Sequence, residues 1–253
     1  MRITQPVAIA TGALLVLSTS VQLHAVDLTV SAAASLSNAF VGIGKEYEKA
    51  KPGNKVLFNF GASGQLLQQI ARGAPVDVFA SADLETMDRG QKQNLIVSDT
   101  RATFVSNKLV VIVPADSAVA LGALNDLSGA AIKRIAVGIP DSVPVGRYSK
   151  GVLDAAKLWE PLQPKFVFTQ NVRQSLDYVG RGEVDAGFVY MTDAAIAPAR
   201  VKVALVVPTE KPILYPIAVV KGNGQENAAR DFVAFVRSET GRKILEKYGF
   251  GAP

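Results

Sequence analysis

Along most of the chain, short apolar runs alternate with stretches whose apolar residues recur at helical spacing. Leu28-Thr29-Val30 opens a first strand, and Phe40, Ile43, Gly44 and Tyr47 then share one helical face. Lys55 to Phe60 alternates as a second strand, Leu66, Leu67 and Ile70 mark a short helix closed by Gly73, and Val76 to Ala80 reads as a third strand. Leu109 to Val113 is an unbroken apolar run ended by Pro114. The pattern then starts again. Ile135 to Val137, Phe166 to Phe168, Ala186 to Tyr190 and Val203 to Val207 read as strands. Helices carry Val152, Leu153, Ala156 and Leu158, and further on Val172, Leu176 and Val179. Tyr215 to Val220 is a return strand, and two amphipathic helices follow, one with Phe232, Phe235 and Val236 and one with Ile244, Leu245 and Tyr248.

Strands alternating with helices predict an α/β protein with mostly parallel sheets flanked by helices. Two such sets, with a tail long enough to return to the first, predict two lobes joined by two crossovers, near Asn107-Lys108 and Lys211-Pro212. Lobe 1 would comprise residues 26–107 and 212–253, and lobe 2 residues 108–211. Ligands in such folds bind beyond the carboxyl ends of the strands, in the cleft between lobes.

Residues 1–25 are read as a signal peptide, outside the fold. Met1-Arg2 gives a positive start, Val7 to Leu23 is mostly apolar, and Leu23-His24-Ala25 offers a cleavage site with a small last residue. Thr11, Ser18, Thr19, Ser20 and Gln22 interrupt the run before it reaches a bilayer span. The expected location is therefore the periplasm. The chain has no cysteine, and its one histidine, His24, lies in the segment to be removed. Thiolate chemistry, a histidine-based triad and a histidine metal site are thereby excluded from the mature chain. A net charge of +5 without blocks of like charge, or basic stripes interleaved with aromatics, argues against nucleic acid as a partner.

Four places repeat one arrangement, in which a strand runs through a tight turn of small residues into a helix. They are Ala32 to Ser35, Gly61 to Gly64, Val143 to Gly146, where Pro144 favours helix entry, and Thr169 to Val172, with Asn171 as a candidate N-cap. A helix start offers unpaired N–H groups and the positive end of the macrodipole, a setting that suits an anion. A serine before a helix is more often simply its cap. Four such turns, two per lobe, weigh against that plainer reading.

These residues, taken in order, resemble the periplasmic molybdate-binding proteins of type II periplasmic-binding-protein fold. The resemblance is carried by Ala32 to Leu36, Gly73 to Asp83, Asn107 to Val110, Ala136 to Gly138 with Val143, Pro144 and Gly146, Phe188 to Tyr190 with Asp193 and Ala194, and Lys247 to Phe250. It implies a tetrahedral oxyanion, molybdate or tungstate, held in the interlobe cleft by neutral donors, with molybdenum bound only as the oxyanion and no direct metal ligands. The implied donors are the hydroxyls and N–H groups of Ser35 and Ser63, the N–H groups of Val145 and Val172, and the phenol of Tyr190. In the family the third of these is often alanine; here it is Val145. No cofactor is implied. The implied partner is the permease of an ABC importer in the inner membrane, and the implied state is a monomer.

None of the five positions is an acid, so the site offers donors and little acceptance. A fully deprotonated oxyanion suits it better than hydrogen phosphate, which carries a proton needing an acceptor. Arg147 and Arg173 follow closely on two of the donors and could reach the anion or steer it electrostatically, but are expected chiefly as exposed first-turn side chains. Asp83 and Asp193 are expected to cap or turn the chain locally, and Trp159 to pack. Three rivals stay open: a sulfate or other oxyanion receptor on the same fold; an enzyme using Asp83, Asp193 or Lys108; and the sensing half of a transcription regulator. The signal peptide and the lack of a helix-turn-helix segment weigh against the last.

Overall fold

The computed structural model describes Met1 and residues 26–222 and 224–253. The expected signal peptide falls on residues outside the described ones. The first sheet contains β1 (Asp27–Ala33), β2 (Lys55–Gly61), β3 (Val78–Ala80), β4 (Ala102–Asn107) and β10 (Ile213–Val219), in the order β2-β1-β3-β10-β4. The second contains β5 (Leu109–Pro114), β6 (Ile135–Gly138), β7 (Phe166–Thr169), β8 (Ala186–Tyr190) and β9 (Val201–Val207), in the order β7-β6-β8-β5-β9. In each sheet four strands run one way and the fourth in line, β10 or β5, runs against them. Each reversed strand is the first one laid down after the chain passes between sheets. β4 ends at Asn107 and β5 starts at Leu109, while β9 ends at Val207 and β10 starts at Ile213. The result is a two-lobed α/β fold with mostly parallel sheets.

The apolar runs form strands because helices cover both faces of the sheets. All five residues of β8 and the first five of β5 are buried. In lobe 1, α1 (Ser37–Ala50) buries Phe40, Ile43 and Tyr47. The tail returns as α8 (Glu226–Val236) and α9 (Glu239–Lys247), and Phe232 of α8 meets the Tyr47 ring edge-on at 5.2 Å. An edge-on meeting of this kind is a favoured aromatic geometry. The remaining helices are α2 (Ser63–Ala71), α3 (Leu84–Lys92), α4 (Pro144–Ala155), α5 (Trp159–Leu162), α6 (Val172–Gly180) and α7 (Met191–Ala195).

Several expectations shift. The third strand begins at Val78 instead of Val76, although the Asp77 N–H still bonds to Thr29 O at 2.8 Å beside β1. The helix expected to reach Leu158 stops at Ala155. Lys157 turns left-handed at φ 57°, and the N–H of Leu158 folds back onto Leu153 O at 2.7 Å, closing the helix end. Trp159 is buried against Phe166 at 4.7 Å between ring centres, the packing role anticipated for it. β4 and α3 were not read from the sequence. Each has few buried positions, Phe104 and Val105 in the strand and Thr86, Met87 and Gly90 in the helix, so neither shows a clear apolar period.

Candidate functional site

The four helix starts converge. Ser35 lies in a single 3-10 turn, Ala34–Leu36, that leads into α1, and Ser63 is the first residue of α2. Val145 is the second residue of α4 behind Pro144, and Val172 is the first of α6. Together with Tyr190, the last residue of β8, all five line one small cavity between the lobes. Every one of the five is buried, and among the described residues no charged side chain lines the cavity. First-turn N–H groups have no partner inside their own helices, so the sequence aims donors from both lobes at one point.

Close approach here depends on glycine. A Cβ at Gly146 would lie 2.0 Å from Gly138 O, so only glycine lets the start of α4 press against β6. Across the lobes, the Gly64 N–H bonds to Ser142 O at 3.0 Å, and Gln65 Nε2 bonds to Gln170 Oε1 at 2.8 Å.

The serine hydroxyls are not spent on capping. The residues capping these helix starts are Ala33 and Ala62, and neither has a side chain that can bond to the helix. Ser63 Oγ accepts from the Ala82 N–H at 3.0 Å, which leaves the hydroxyl proton free to be given. Ser35 Oγ lies 3.0 Å from Tyr215 Oη. Tyr190 Oη is buried with no hydrogen-bond partner among the described residues, an orphan that calls for a ligand acceptor. Burial pushes the Tyr190 phenol well above its ordinary value, so it keeps its proton. Asn171 is the anticipated cap, its Oδ1 accepting from the Gln174 N–H at 3.1 Å.

Arg147 and Arg173 are not exposed first-turn side chains. They are 19% and 21% exposed, and each reaches across the cleft. Arg147, on α4, bonds through Nη2 and Nε to Asp83 Oδ2 at 2.7 and 3.0 Å, and through Nη1 to Pro140 O at 2.7 Å in its own lobe. Arg173, on α6, pairs with Asp193 Oδ1 at 2.7 Å in its own lobe and bonds to Asn38 Oδ1 at 2.8 Å in the other. The expectation failed because the partners lie far off in the chain, where spacing gives no hint of them. The capping roles of the two acids hold. Asp83 caps α3 through the Thr86 N–H, and Asp193 accepts from the Tyr190 N–H. With each guanidinium matched to a carboxylate, the cavity itself faces neutral donors.

Asp193 is fully buried, and burial pushes its carboxyl up to about 6 against the pull of Arg173 and the Tyr190 N–H. Between about pH 4 and pH 6 the folded chain therefore holds a proton that the unfolded chain has released. Asp193 thus favours folding most below about pH 4, and that contribution is lost as pH rises through 6. Asp193→Asn keeps the acceptor and removes the titration. The stability of the native protein relative to this variant, followed by thermal melting, is expected to fall from pH 4 to pH 7 by about 2–3 kcal/mol. A rising difference would mean that the ion pair with Arg173 outweighs burial.

A larger groove between α4 and β9, lined by Val152, Leu205, Val206 and Pro208 with Arg147, Tyr148, Thr209 and Lys211, takes in none of the four helix starts. The residues that sequence reasoning missed at the site are Tyr215, which touches Ser35, and Asn107, which touches Tyr215, both from lobe 1 strands. Tyr215 was read only as the start of a return strand. The signal available was a tyrosine at the inner end of that strand, which by itself is ordinary.

A family model described as bacterial extracellular solute-binding protein matches residues 28–251. The chain is 36% identical to the molybdate-binding protein ModA of Haemophilus influenzae over 89% of its own length and 90% of that protein's. Among solved structures it resembles the substrate-binding domain of a putative molybdenum ABC transporter from Clostridium difficile, with a TM-score of 0.68 at 41% identity, covering 90% of this chain and 99% of that one. It also resembles the periplasmic molybdate-binding protein of Azotobacter vinelandii, with a TM-score of 0.80 at 25% identity, covering 89% and 99%.

Proposed function

The chain belongs to the bacterial extracellular solute-binding protein family, and from that membership we propose that it captures molybdate between its lobes for an ABC importer. It is a binding protein and not an enzyme. The observation that carries the choice of ligand is the convergence of four helix starts, two uncapped serine hydroxyls and one unpartnered phenol on a cavity without charged side chains. Such a shell gives protons and takes few, which favours an oxyanion that is fully deprotonated at neutral pH. Tungstate has the same charge and shape and is expected to bind as well. The donors are Ser35, Ser63, Val145, Val172 and Tyr190. Cleavage after Ala25 would leave the protein in the periplasm, where it would act as a monomer and meet the permease in its closed form.

Calorimetric titration with molybdate, tungstate, sulfate and phosphate in one buffer tests this reading. Tight binding of the first two and weak response to the others is expected. Equal affinity for sulfate would make the protein a general oxyanion receptor, and silence for all four would end the proposal. Ser35→Ala, Ser63→Ala and Tyr190→Phe should each weaken molybdate binding roughly tenfold without lowering the melting temperature, the low end of what a hydrogen bond to a charged group contributes. Unchanged affinity in all three would remove these residues from the site.

A further inference from the structure

We propose that Asn107 and Tyr215 are positioning residues that hold the Ser35 hydroxyl as a proton donor, and so make the site select fully deprotonated oxyanions over proton-bearing ones. The inference rests on the reading of the cavity as an oxyanion site. Its starting point is the Lys108 N–H, which donates to Asn107 Oδ1 at 2.9 Å. That bond fixes which end of the amide is oxygen, so Asn107 turns Nδ2 towards Tyr215 Oη at 3.2 Å and Thr192 Oγ1 at 2.9 Å. An amide nitrogen only gives protons, so Tyr215 Oη accepts from it. The phenol must then place its own proton elsewhere. Among the described residues, its other hydrogen-bond neighbour is Ser35 Oγ at 3.0 Å. Tyr215 therefore donates to Ser35, and the serine presents its proton to the cavity that it lines.

The chain of bonds is held rigidly. Tyr215 is fully buried, its ring meeting Tyr190 at 5.8 Å and Phe250 edge-on at 5.6 Å. Burial raises its phenol well above the ordinary value, so the proton stays on the relay. Asn107 ends β4, where the chain passes to the second sheet, and Thr192 belongs to α7 of that second lobe. The polarity of a ligand-facing hydroxyl is thus set at the crossing between lobes. Ser63 reaches the same polarity through the Ala82 N–H, a backbone donor that only proline would remove.

Reversing the relay is the sharp test. In Asn107→Asp the new carboxylate can only accept, so the phenol turns its proton to it and Tyr215 Oη accepts from Ser35. Ser35 then shows the cavity lone pairs. Native protein, Asn107→Asp and Tyr215→Phe are titrated with molybdate and sulfate, and with phosphate and arsenate in their hydrogen-bearing forms. The added negative charge weakens all these anions together, so the readout is the ratio of molybdate to hydrogen arsenate affinity. That ratio is expected to fall about tenfold in Asn107→Asp and to take an intermediate value in Tyr215→Phe, with melting temperatures showing both variants folded. An unchanged ratio in both overturns the relay. Neutron diffraction of the anion-free native protein judges the relay independently of ligand identity. Deuterium bonded to Tyr215 Oη and aimed at Ser35 supports the proposal, and deuterium bonded to Ser35 Oγ and aimed at Tyr215 overturns it. A native protein that binds no molybdate would defeat the proposed function, while the neutron map would still decide the relay.

Discussion

Gly64→Ala is expected to weaken molybdate binding about a thousandfold while leaving the fold intact. The added Cβ would lie 2.7 Å from Ser142 O and 2.8 Å from Ser142 Cα, both backbone atoms of the opposite lobe. No side chain can rotate away to relieve such a contact, so the lobes must part. Within α2 the change is harmless, because alanine is the better helix former and Gly64 has no positive φ. Only lobe 1's donors would then reach the anion. Losing the Val145 and Val172 N–H groups and the Tyr190 phenol removes three hydrogen bonds to a charged ligand. At about 1.5 kcal/mol each, that is about 4.5 kcal/mol, or a little over three powers of ten in affinity. Calorimetry gives the affinity, small-angle scattering the lobe separation, and thermal melting the integrity of the fold. Native affinity in this variant would mean that α2 and the segment around Ser142 do not close on one another when the anion binds.

Arg147→Ala should cost roughly a hundredfold, chiefly through faster release. Asp83 is only 4% exposed and takes two bonds from this guanidinium, at 2.7 and 3.0 Å. Removing one partner of a buried pair commonly costs about 3–5 kcal/mol. Here the loss is smaller, about 2–3 kcal/mol, because Arg147 is partly screened by solvent and Asp83 keeps the Thr86 N–H and the Ser81 hydroxyl. The penalty falls on the closed form, since opening the cleft returns Asp83 to water. A ligand shifts the two forms only by its differential affinity for them, so weaker closure appears directly as weaker binding. Stopped-flow kinetics should show the dissociation rate rising and the association rate nearly unchanged. A change confined to association and its salt dependence would mean that Arg147 steers the anion in and does not clasp the lobes.

Both expectations rest on contacts across the cleft, where the limits of a sequence reading are plainest. The order of strands and helices was legible because each apolar run has to be buried, and its period of two or 3.6 residues shows which element can bury it. β4 and α3 escaped because each buries too little of itself to impose a period. The helix starts at Ser63, Val145 and Val172 were legible for a local reason, since small residues, Pro144 and Asn171 mark the turns that precede them. Ser35 was legible in the same way, in the small-residue turn Ala32 to Ser35, whereas Tyr190 came from the family resemblance, which adds order and spacing that no single motif holds.

What each polar side chain does was decided by its partner, and the partners lie far away in the chain. Arg147 meets Asp83 across 64 residues, Arg173 meets Asn38 across 135, and Ser35 meets Tyr215 across 180. A serine or arginine looks the same in sequence whether its hydrogen bonds go to water, to its own helix or across a cleft. The sequence by itself determined the two-lobed α/β alternation, the missing acids and histidines at the site, and the helix starts that supply its N–H donors, because these follow from local burial and backbone geometry. Only the tertiary structure decided that the arginines clasp the lobes and that the serine hydroxyls are free of capping, because a hydrogen bond's direction depends on which groups the fold brings within about 3 Å.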